Sequence, residues 1–258
     1  MRNLIKMNFY RLSRSMSAYI LVILTIIEAV TAGVIYHDNR AGVEAMRHGA
    51  VYDDGMALFE FIDATLGDDF LLILIMIGVT LFIGSQYKSG FIKNFAGSCP
   101  NRAAIVGADI IVSCAFALIV MTAAVGATCI INLTLNREFA AVGELSDIVN
   151  VIVPKLLPFL GYTMLTVFVA EAFRSTTAPI ITGFLVTLLS PTAAGLLNKF
   201  LYGIGVPEAF DISKFSVIQI LSDTGMSLDP IKTSIFGAVY FAVFAVITII
   251  MSQKRDIV

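Results

Sequence analysis

Residues 231–251 read IKTSIFGAVYFAVFAVITIIM, a run of 21 residues with one charge, at Lys232. As an α-helix it is about 31 Å long, which matches a bilayer hydrocarbon core of ~30 Å. An isolated apolar run in lipid must pair its own backbone groups, because each unpaired group costs several kcal/mol there. Asp229-Pro230 stands just ahead of it and supplies an N-cap and a proline suited to the first helical position. Five further runs of the same kind cover 18–36, 70–85, 108–133, 152–172 and 178–198. The run 70–85 is short for a span and needs flanking residues to complete it. In the fifth run, Ser190-Pro191 predicts a kink or an end, with 193–201 as a separate half-helix.

The composition agrees with lipid as the solvent. The chain is 58% hydrophobic and 14% charged, with mean hydropathy +0.89, where soluble domains carry about 25% charged residues. The fold class is therefore an all-α membrane protein, one domain over residues 1–258 with six transmembrane helices. A net charge of −2 gives no bulk attraction to nucleic acid. Cys99, Cys114 and Cys129 form neither a close pair nor a metal spacing, and read as free thiols.

Residues 1–17 are not a span. Ile5, Phe9, Leu12 and Met16 recur at helical spacing, with Arg2, Lys6, Arg11 and Arg14 around them. This predicts an N-terminal amphipathic helix lying at an anionic membrane surface. The 19 residues of 18–36 exceed the ~7–15 of a signal-peptide core, so they read as a retained first span. Segments 1–17, 86–107, 173–177 and 252–258 hold ten Lys and Arg in 51 residues. Segments 37–69, 134–151 and 199–230 hold five in 83. The first set is expected to be cytoplasmic, with both termini. In the opposite loops, Met56, Phe59, Ile62 and Leu66, then Phe215, Ile218 and Leu221, predict two short amphipathic helices that cap the bundle or form a gate or a substrate vestibule.

Several chemistries lack their motifs. There is no GxxxxGK[ST] for ATP, no HExxH, and no GxSxG. Both histidines, His37 and His48, fall in the loop after the first span. Glu28 is expected to be the only charge at mid-membrane, without a His, Lys or Arg partner at that depth for a proton relay. It is a candidate for a translocation path or an interhelical contact near it, or a protonated acid bonded to a neighbouring threonine or backbone carbonyl. Glu171 and Arg174 are spaced to pair along a helix. Asp109 is expected at the N-terminus of the third span.

Between the second and third runs lies QYKSGFIKNFAGSCPNR, residues 86–102. Phe91, Ile92 and Phe95 fall on one face of a one- or two-turn helix, with Lys88 and Lys93 beside it. Gly90 and Gly97 bracket it and Pro100 ends it. Such a helix suits docking into a partner's groove, or re-entry into the lipid interface.

The order of these features resembles the permease subunits of ABC exporters of the second membrane type, in their small six-span bacterial form. The resemblance covers nearly the whole chain. It rests on the N-terminal helix, the six spans, the long first external loop, and Gly90, Ile92, Lys93 and Asn94 followed by Arg102. The terminal Lys254-Arg255-Asp256-Ile257 also looks like that family's ending. Two positions depart from it: Gln86 stands where an acid is frequent, and Ala108-Asp109 where a lysine is frequent.

The resemblance implies a bacterial plasma-membrane permease working with a separate ABC ATPase in two copies. ATP and magnesium would sit on that partner and no cofactor on this chain. It also implies a second permease, identical or paralogous. Lys88, Gly90, Phe91, Ile92, Lys93, Asn94, Phe95 and Arg102 would contact the ATPase. The substrate would be a peptide, an antibiotic or another amphiphile. A secondary transporter or channel without an ATPase, or a membrane assembly factor, would share the spans but need no ATPase.

Overall fold

The computed structural model describes residues 2–46, 57–90, 102–135, 145–204, 207, 211, 216–222 and 230–254, without the side chains of 39–46, 102 and 145. Regular structure among them is helical: α1 (Arg2–Ser13), α2 (Met16–Met46), α3 (Leu58–Leu66), α4 (Asp69–Lys88), α5 (Arg102–Thr134), α6 (Leu145–Phe173), α7 (Thr177–Gly203), α8 (Val217–Ser222) and α9 (Pro230–Lys254). Six of these helices are long and apolar enough to cross a membrane. The chain has the construction of a multi-pass membrane protein. One end of the bundle carries α1 and the other carries α3 and α8.

α4 is the axis. Its sequence is apolar on every side, and a helix of that kind belongs inside a bundle. Of its membrane-length stretch, 72% is buried, against 11% for α7 and for α9. Leu71, Leu72, Ile75 and Ile83 have no exposed surface. The helix takes flanking residues at both ends, as the short run 70–85 requires, and reaches 20 residues, about 30 Å. At its start, Asp68 caps it by accepting from the amides of Phe70 (3.1 Å) and Leu71 (3.4 Å). Its last turn is Gln86-Tyr87-Lys88, so the first residues of the segment 86–102 belong to α4.

α6 and α9 run side by side in the same direction. Gly237 makes this possible, because a Cβ there would overlap the backbone of Leu157 and Pro158. Two turns on, Phe168 and Phe244 pack ring to ring at 5.6 Å. Apolar surface gives no drive for association within lipid, so close packing at small residues has to supply it.

Four expectations are corrected. α7 does not end at Pro191; it continues as one helix to Gly203. Leu188 and Leu189 before the proline, and Ala193, Ala194, Leu196 and Leu197 after it, favour the helix. α1 buries Leu4, Asn8 and Leu12, while Phe9 is exposed and Met16 belongs to α2. Asp109 does not open its helix: α5 starts at Arg102 and places Asp109 two turns inside, fully buried. Arg174 is not on the helix of Glu171, because α6 stops at Phe173 and Arg174 takes left-handed backbone, φ 50°.

The two short amphipathic helices are present as α3 and α8, and Pro230 opens α9. Met56, Phe215 and Asp229 lie outside the described residues.

Candidate functional site

The base of α4, at the α1 end, gathers polar side chains from four helices. Asp109 of α5 is wholly buried. One carboxylate oxygen, Oδ1, accepts from Asn8 Nδ2 of α1 and from Gln86 Nε2 of α4, each at 2.7 Å. Neither amide can ionise, so both serve as fixed donors to a carboxylate held out of water. Arg11 reaches across from α1, donating to Asn8 Oδ1 at 3.4 Å and to Ser85 Oγ at 3.3 Å. Its guanidinium lies 5.4 Å from the ring centre of Phe82. Burial pushes the Arg11 guanidinium below its ordinary value, and the nearby Asp109 charge opposes that shift.

The next residue of α4 reaches the other way. The Tyr87 hydroxyl donates to Glu171 Oε2 near the end of α6. The Arg174 guanidinium lies 5.8 Å from the centre of the same ring. Tyr87 thus touches both Glu171 and Arg174, the two residues expected to pair. Gly84 completes the junction, since a Cβ there would come within 2.5 Å of Thr176 Cγ2 in the turn between α6 and α7. Within two turns, α4 is tied to α1, α5, α6 and that turn.

Lys88 ends α4 and is exposed. Gly90 follows in left-handed backbone, φ 68°, with open space where a side chain would be. That conformation favours glycine. Phe91, Ile92, Lys93, Asn94 and Phe95 lie outside the described residues. Arg102 opens α5, and its side chain is outside the description.

Glu28 is not part of this junction. It lies on α2, partly buried, beside Asp68, the residue that caps the opposite end of α4. Nor is it the only charge within the apolar helices. Asp109, Glu171 and Lys155 are all buried inside theirs. Lys155 pairs with Asp63 at 2.6 Å at the α3 end. Lys155 and Asp109 could have been singled out as charges inside apolar runs. Asn8 gave no signal, because its role depends on which face of α1 turns inward.

This geometry can transmit force and hold charge. Among the described residues, no group of three His, Cys, Asp or Glu is placed to hold a metal ion. No protein-family model matches the chain, and no curated protein matches it.

Proposed function

We propose that the chain is the membrane-spanning permease of an ATP-driven exporter, moved by a separate ABC ATPase. The α1 end would face the cytoplasm, where Lys and Arg are concentrated. One observation carries this reading. The segment that resembles the family's ATPase contact leaves directly from the base of α4, the most enclosed helix, and that base is tied by buried polar contacts to α1, α5 and α6. A push on residues 90–95 would reach the axis of the bundle and every helix fastened to it. Contacts inside a low-dielectric region resist stretching, so such a junction moves as a unit.

Two permease copies, or this chain and a paralogue, would enclose the path between them. Closure of the ATPase pair would rock the bundles between an inward-open and an outward-open state. That requires contacts that differ between the two states. A peptide, an antibiotic or another amphiphile is the substrate class in keeping with the resemblance.

The test is the double variant Phe91→Asp/Ile92→Asp in native membranes. It should insert and fold as the parent does while export and ATPase coupling fall by about tenfold or more, the scale of losing a buried apolar anchor. Unchanged export would remove the docking role.

A further inference from the structure

At the α3 end the side chain of Lys155 is only 8% exposed, and three oxygens surround its ammonium. Asp63 Oδ1 is at 2.6 Å, the Asp63 carbonyl at 3.0 Å and the Leu221 carbonyl at 2.9 Å. Both carbonyls lie in the last turns of short helices, α3 and α8, where a cation is favoured; the Asp63 carbonyl also accepts from the Gly67 amide at 3.1 Å. One ammonium thus closes two helix ends that are distant in sequence. Those helices are well seated: Ile62 and Leu66 of α3, and Leu221 of α8, have no exposed surface. Gly67, just after α3, rests on the same carbonyl, since a Cβ there would lie 2.5 Å from the Leu221 oxygen.

The helix that carries Lys155 is weakened at that turn. Pro154 and Pro158 both lie inside α6. Each lacks the N–H that would complete a helical hydrogen bond, so two rungs are missing around residue 155. Bending α6 costs least there.

We propose that Lys155 is the latch of a two-helix lid. One ammonium joins the ends of α3 and α8 above their buried apolar faces, and bending of α6 at its proline-bracketed turn withdraws that ammonium and loosens both helices together. Breaking a buried ion pair leaves uncompensated charge, so the lid is shut at rest and its opening must be driven. The latch stands whether or not an ATPase drives the bundle.

The experiment uses the full chain in membranes, with Cys99, Cys114 and Cys129 replaced by alanine. Single cysteines are introduced as Leu66→Cys, Leu221→Cys or, as a control in the core of α5, Ala124→Cys. A membrane-impermeant maleimide is added from the α3 side and its labelling rate is read. Lys155→Met should raise the rates at 66 and 221 together, by about tenfold or more, and leave 124 unchanged. Asp63→Asn, which keeps both carbonyl contacts, should raise both rates less. Pro154→Ala should lower both rates below the parent by stiffening α6. The latch is overturned if Lys155→Met leaves 66 and 221 unchanged, raises only one of them, or raises 124 equally. The hinge is overturned if Pro154→Ala leaves the rates unchanged or raises them.

Discussion

The Gln86 side-chain amide of α4 lies 2.7 Å from the Asp109 carboxylate of α5. Gln86 donates and the buried carboxyl group of Asp109 accepts, so the pair holds α4 to α5. Gln86→Glu would set two carboxylates against each other in a buried site and should destabilise the protein by about 3 kcal/mol. Gln86→Glu/Asp109→Lys should recover at least half of that. Thermal unfolding in detergent, run as a double-mutant cycle, checks both.

The Tyr87–Glu171 contact should behave as a single unit. Tyr87→Phe removes the donor and leaves a buried carboxylate oxygen unsatisfied, at a cost of about 1–3 kcal/mol. Combining it with Glu171→Gln should cost clearly less than the two separate losses added together. Full additivity would mean that the hydroxyl and the carboxylate do not support each other.

Helix spacing gives a cleaner contrast. Gly237→Ala would drive a methyl group into the backbone of Leu157 and Pro158, and should cost about 1–3 kcal/mol by forcing α6 and α9 apart. Gly195→Ala in α7 meets open space. It should be neutral or stabilising by up to about 1 kcal/mol, the helix-propensity difference. The two variants can be compared by yield and apparent melting temperature in the same detergent.

Gly90→Ala isolates the exit from α4. Its left-handed backbone disfavours a side chain by about 1 kcal/mol although the space is open. Overall stability should barely change, since strain at an exposed turn relaxes locally. If the segment beyond Gly90 docks an ATPase, export per ATP hydrolysed should fall.

Much of this architecture was legible in the residues. Apolar runs of membrane length mark all six long helices, because lipid leaves an isolated segment no other way to pair its backbone. The short helices α3 and α8 followed from apolar spacing. Helix ends were less visible. Gln86, Tyr87 and Lys88 look like the start of a loop, yet they extend α4 because Asp109 and Glu171 hold the first two from neighbouring helices. Pro191 reads as a break, but sequence alone does not weigh one missing hydrogen bond against a long run of helix formers. The junction was hidden for a related reason. Asn8 and Asp109 are 101 residues apart, and no local pattern announces a contact across that distance. Glu28 drew attention as a charge in a greasy run, and its partner, Asp68, could be found only from the packing of α2 on α4.

ATP coupling is tested most directly by photo-crosslinking from position 92. A benzophenone side chain placed there, in native membranes, should capture a chain that carries a GxxxxGK[ST] loop, identified by mass spectrometry. Adding nucleotide should change the yield. If positions 91, 92 and 95 all fail to capture any P-loop chain, in membranes where export dependent on this chain is measured, the chain is not driven by an ATPase through this segment.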